Sequence, residues 1–99
     1  MKVKVTVQNL REFIDIRLDT DTGRFLVNGV KTNHDPKKFL SSLQLIVASW
    51  QTEMIDDSII DGESYSVTMV LNDQVREYIG RNSFPLNYSK FKSLIKEYL

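Results

Sequence analysis

Polar residues alternate with valine over residues 2–8, KVKVTVQ, so Val3, Val5 and Val7 fall on one face of an extended chain and Lys2, Lys4, Thr6 and Gln8 on the other. Residues 12–18, EFIDIRL, repeat the device, with Ile14, Ile16 and Leu18 on one side and Asp15 and Arg17 opposite. Both segments predict half-buried strands. DTDTG at 19–23 supplies turn chemistry, and RFLVNGV at 24–30 predicts a third strand that bends or ends at Asn28-Gly29. The first third of the chain reads as an antiparallel meander.

The period then changes. Asp35 can accept hydrogen bonds from free amides, and Pro36 suits the first position of a helix. Phe39, Leu40, Leu43, Ile46, Val47 and Trp50 recur at helical spacing as one apolar stripe, which places Trp50 in or at the edge of the core. MIDDSIIDGE at 54–63 leaves that period and predicts a linker, with Ile59-Ile60 tucked against the core and a turn at Asp61-Gly62. SYSVTMVL at 64–71 and QVREYI at 74–79 predict a hairpin across Asn72-Asp73, with Gly80 closing its second strand. Tyr88, Phe91, Leu94, Ile95, Tyr98 and Leu99 mark a second amphipathic helix. Phe84 staples the preceding loop to the core, and Asn87 is placed to cap the helix. The order β-β-β-α-β-β-α predicts a single α+β domain over 1–99. Its form is a two-layer sandwich in which about five mainly antiparallel strands carry both helices on one face.

Composition fits one packed core: 99 residues, 41% hydrophobic, with 4 Gly and 2 Pro. Thirteen basic residues balance thirteen acidic ones, so no overall field draws the chain to nucleic acid or an anionic membrane. Locally the charge is uneven, +3 over 1–52, −5 over 53–71 and +2 over 72–99. The absence of cysteine removes disulfides, thiolate zinc sites and a thiol nucleophile. The start of the chain lacks the apolar run of a signal peptide, and the longest uncharged run, 39–52, is too short to span a membrane. A cytoplasmic protein without membrane contact is expected.

No constellation points to catalysis. Glu53, Asp56, Asp57, Asp61 and Glu63 do not match the spacing of a twelve-residue calcium loop and read as a solvated acidic linker. His34 has no second histidine or thiolate with which to hold a metal, and stands as a surface residue before the helix cap. No Gly-x-Ser-x-Gly turn exists, and the glycines at 23, 29, 62 and 80 are too scattered for a phosphate loop. No cofactor or metal is expected. The C-terminal third mixes Arg76, Arg81, Lys90, Lys92 and Lys96 with Tyr78, Phe84 and Tyr88, a combination that can serve nucleic acid. Tyr88 and Phe91 are needed by the helix stripe, which weighs against that reading.

Residues 65–95, with Tyr78, Gly80, Phe84, Pro85, Asn87, Tyr88 and Phe91 as the shared positions, resemble the C-terminal part of small uncharacterised proteins from Gram-positive bacteria. The resemblance implies a bacterial source and a hairpin-helix unit, and brings no known activity. The expected function is non-catalytic: an interaction module for an unidentified protein partner, or for a second copy in a homodimer; the alternatives are a nucleic-acid-binding accessory role through the C-terminal third and a small enzyme with a polar pocket at the sheet edge. Lys2, Lys4, Thr6, Gln8, Asp15, Arg17, Ser66, Thr68, Arg76 and Tyr78 are expected on the uncovered sheet face, and Arg81 and Asn82 in an exposed loop. Arg17, Arg76, Tyr78, Arg81 and Asn82 are the candidate partner-binding residues.

Overall fold

The computed structural model describes residues 1–99, which form an α+β domain with a mixed seven-stranded sheet and two helices. The strands are β1 (Lys2–Gln8), β2 (Phe13–Asp19), β3 (Arg24–Val27), β4 (Val30–Lys31), β5 (Glu53–Ile55), β6 (Ser64–Leu71) and β7 (Gln74–Arg81). The helices are α1 (Pro36–Val47) and α2 (Tyr88–Lys96). Across the sheet the strands lie in the order β4-β3-β2-β1-β6-β7-β5. All pairs are antiparallel except β5 with β7.

The two additional strands have a common explanation. β4 is two residues and β5 three, too short for any alternation to declare itself, and β5 pairs through Glu53↔Ile79 and Ile55↔Arg81 with a strand more than twenty residues away in sequence. The predicted linker at 54–63 therefore begins inside an edge strand. α1 carries the chain from the β4 edge to the β5 edge. It starts as its sequence requires: the Asp35 carboxylate accepts from the Lys37 amide at 3.0 Å, with Pro36 behind it.

Every buried residue of the core is hydrophobic. Val3, Val5 and Val7 of β1 stand between Leu18, Ile16 and Ile14 of β2 and Met69, Val67 and Tyr65 of β6, all on the helix-covered face. Phe39, Leu43 and Val47 of α1 and Phe91 and Ile95 of α2 close that layer. Trp50 lies just past α1 and packs edge-to-face on Phe91, ring centroids 5.0 Å apart.

Two expectations about β7 are corrected. Tyr78 is opposite Val67, so it belongs to the covered face, where it is 5% exposed and meets Trp50 edge-on. Arg76, opposite Met69, shares that parity and emerges at the rim of the helix layer, not on the open face. The cause of the parity is Gly80, which lies inside the strand and does not close it. It pairs with Tyr65, and a Cβ at position 80 would fall on the Tyr65 ring. Only glycine lets Tyr65 lie flat there, and Gly80 facing inward turns Tyr78 inward two residues before it.

Candidate functional site

The rung Phe13–Gln8–Ser64–Arg81 closes one end of the sheet, and three connections leave it side by side: 9–12, 56–63 and 82–87. Between them is a recess of about 800 Å³ lined by all three. Its floor is Glu63, partly buried. Glu63 Oε1 accepts from Lys92 Nζ at 2.7 Å and Asn9 Nδ2 at 2.8 Å, and Oε2 accepts from Tyr88 Oη at 2.5 Å. Burial works to raise the Glu63 pKa, but the bonds from Lys92, Tyr88 and Asn9 and the Lys92 charge outweigh it and hold the carboxyl below its ordinary value. For Tyr88, burial and then the bond to Glu63 push the phenol far above its ordinary value.

Chemically this is a lock. A carboxylate held ionised by three donors is a poor proton acceptor at neutral pH, and a phenol pushed far upward is a poor acid. Mechanically the lock fastens loops. Asn9 Oδ1 accepts from the amides of Arg11 and Glu12 at 2.8 and 3.0 Å, so the residue that reaches Glu63 also closes its own turn. Asn82, in the left-handed region at φ 58°, accepts from the Glu63 amide at 3.0 Å and donates to the Ile59 carbonyl at 3.2 Å. Its amide group occupies the place a Cβ on Gly62 would need.

The loops so fixed hold apolar side chains outward. Leu10 is 81% exposed, Ile60 98% and Leu86 fully exposed, while Ile59 and Phe84 show nearly half their surface. Leu10, Ile59 and Phe84 line the recess, and the Phe84 ring lies 4.6 Å from that of Tyr88. The expectation that Ile59-Ile60 tucks against the core is therefore corrected. Asn82 pulls on the Ile59 carbonyl, and the chain that follows must present Gly62 to Asn82, which leaves both isoleucines outside.

Glu63 likewise leaves the solvated acidic linker in which the sequence placed it. Of the other acids of 53–63, Asp56 bonds Ser58 and Asp57 pairs with Arg81 at 3.0 Å, Glu53 and Asp61 make no ion pair, and no three of them converge. Asn87 differs from expectation as well: its side chain makes no cap bond. It accepts from Trp50 Nε1 at 2.7 Å and donates to the Ile46 carbonyl at 2.9 Å, tying the start of α2 to the end of α1. His34, expected on the surface, is partly buried and lies edge-on to the stacked rings of Phe25 and Tyr98, at 5.3 and 4.9 Å.

The five candidate partner-binding residues are not brought together. Arg17 is on the open face, Arg76 at the rim of the helix layer and Tyr78 in the core. Asn82 is part of the recess lining, whereas Arg81 is the last residue of β7, not a loop residue, and pairs with the exposed Asp57, which the lining does not include. The basic and aromatic residues of the C-terminal third form no shared platform, since Lys92 and Tyr88 are engaged by Glu63 and Tyr78 is covered. Sequence reasoning missed Glu63 and the rim. The available signals were Tyr88 and Lys92, four apart on one helix face with no acid assigned to them, and the apolar residues Leu10, Ile60 and Leu86 in polar loops.

No family model, curated protein or solved structure matches the chain. No helix is long and apolar enough to cross a membrane.

Proposed function

We propose that the chain is a non-catalytic interaction module that associates with a second copy of itself through the recess end. The observation that supports this is the set of exposed apolar side chains at that end, Leu10, Ile59 and Phe84 in the recess lining and Ile60 and Leu86 in the same connections, on loops fastened by Glu63 and Asn82. Apolar side chains held outward around a satisfied polar floor mark an association surface, and rigid loops reduce the ordering cost of using it. Charge favours a second copy. Arg11 and Asp61 line the same recess, are exposed and make no ion pair, so a two-fold contact can match each with the other.

Light scattering across a concentration series up to about 500 μM, a range that detects even weak dimers, tests the proposal. A dimer is expected, with Ile60→Asp/Leu86→Asp monomeric at every concentration and equal in melting temperature to the wild type at concentrations where the wild type is itself monomeric, because both side chains are in water in the monomer. A wild-type chain that stays monomeric overturns the self-association. A dimer that survives the double substitution overturns the site.

A further inference from the structure

The open sheet face carries a separate feature at the end remote from the recess. Two successive rungs cross it: Leu26–Arg17–Lys4–Thr68, and Arg24–Asp19–Lys2–Val70. They line a concavity of about 350 Å³. We propose that this concavity binds a compact polyanion of the polyphosphate class, two or more linked phosphoryl groups held by Lys2, Lys4, Arg17 and Arg24.

The argument begins with charge placement. Lys4 and Arg17 are directly opposite one another, and like charges so paired destabilise a sheet unless something neutralises them. Three acids share the face with these cations: Asp15, Asp19 between Lys2 and Arg24, and Glu77 beside Thr68. Asp15 holds Arg17 in two contacts of 3.1 and 3.3 Å, and the Asp19 carboxylate accepts from the Asp21 amide at 2.9 Å. Lys2, Lys4 and Arg24 make no ion pair at all. Four cations against three acids leave a small positive surplus, and the unpaired donors of Lys2, Lys4 and Arg24 are what an anion satisfies.

Spacing selects the kind of anion. The cations span three neighbouring strands about 4.8 Å apart and two rungs about 7 Å apart, so one carboxylate or phosphate reaches only part of the set. Linked phosphoryl groups reach all of it. The volume is that of a small-ligand site. No aromatic ring lines it, so nothing there stacks a base; Val3, Leu18, Leu26 and Val70 give it an apolar base, and the charged groups of Lys2, Lys4, Arg17 and Arg24 surround that base. A phosphate chain fits these features better than a nucleic-acid strand does.

Titration of the intact chain with tripolyphosphate, followed by backbone amide NMR at low salt, tests the proposal. Saturable shifts confined to residues 2–4, 17–19, 24–26 and 68–70 are expected, weakening steeply with added salt. Lys4→Gln and Arg24→Gln should each weaken binding by about 1.5-fold to fivefold, the range for exposed charge pairs, while Lys37→Gln/Lys38→Gln on α1 leaves it unchanged. No saturation, shifts centred elsewhere, or an equal loss in the α1 variant would overturn the site. A single-stranded oligonucleotide of about twelve residues that binds the same amides at least tenfold more tightly would overturn the compact ligand in favour of a strand.

Discussion

Asp35 and Asn87 hold corresponding places, each the residue before a helix, and their side chains do different things. Asp35 bonds its own helix, two residues on, at the Lys37 amide. Asn87 bonds Trp50 and the Ile46 carbonyl, 37 and 41 residues back. The contrast extends to the regions around them. The stretch from β1 to the start of α1 is built from neighbours in sequence: hairpins at 9–12, 20–23 and 28–29, then a self-capped helix. The stretch from β5 to α2 is held by distant ties: β5 on β7, Glu63 to Asn9 and Lys92, Asn82 to Ile59, Asn87 to α1. Local chemistry organises one half and long-range chemistry the other.

The largest expected effect tests whether the second half depends on single close approaches. Gly80→Ala places a methyl group where the Tyr65 ring lies, and Tyr65 is 3% exposed beneath Trp50, Tyr88 and Phe91. Relief requires the ring to move out of a packed core, at a cost of about 3 kcal/mol. Urea denaturation followed by Trp50 fluorescence measures it. A loss below about 1 kcal/mol, the low end for overpacking, would show that the β6–β7 pair tolerates what its geometry forbids.

The next effect sets the two helix starts against each other. Asn87→Ala leaves the buried Trp50 indole N–H and the Ile46 carbonyl without their partner and should cost about 2 kcal/mol. Asp35→Ala removes a solvent-exposed cap and should cost about 1 kcal/mol. Measured in one denaturation series, the order of the two losses is the result. Equal losses, or a larger one at Asp35, would reduce Asn87 to an ordinary cap.

How much was legible in the sequence follows the same division. β1, β2, β3 and α1 were legible because their signals, a period of two or of 3.6 and a cap beside its proline, lie within a dozen residues. The parity of β7 was not. QVREYI offers Val75 and Ile79 on one side and Tyr78 on the other, and the choice is made by Gly80 meeting a ring on the neighbouring strand. Of the candidate site, Asn82 was legible as a loop residue. Glu63 was not, because in one dimension it stands among four other acids, and only folding brings it Asn9 from β1's end and Tyr88 and Lys92 from α2. Ile59 and Ile60 misled because apolar residues normally indicate core, whereas here the loop is fixed by polar bonds and leaves them in water.

The smallest effect has the opposite sign and separates two tyrosines whose rings lie 5.1 Å apart. Tyr88 gives its hydroxyl to Glu63, so removing it withdraws a bond from the carboxylate at the centre of the lock. Tyr65 has no such partner: its hydroxyl is buried with no hydrogen bond, and burial alone pushes its pKa upward. Such a group lowers stability by its lost hydration, so Tyr65→Phe should raise stability by about 1 kcal/mol, while Tyr88→Phe lowers it by a similar amount. The pair is read by urea denaturation at neutral pH. If Tyr65→Phe destabilises, its hydroxyl has a partner such as a bound water, and the Tyr65 site shares the polar ties that otherwise distinguish Tyr88. If it stabilises, the ring was selected for filling the space above Gly80, and its hydroxyl is a tolerated cost of that fit.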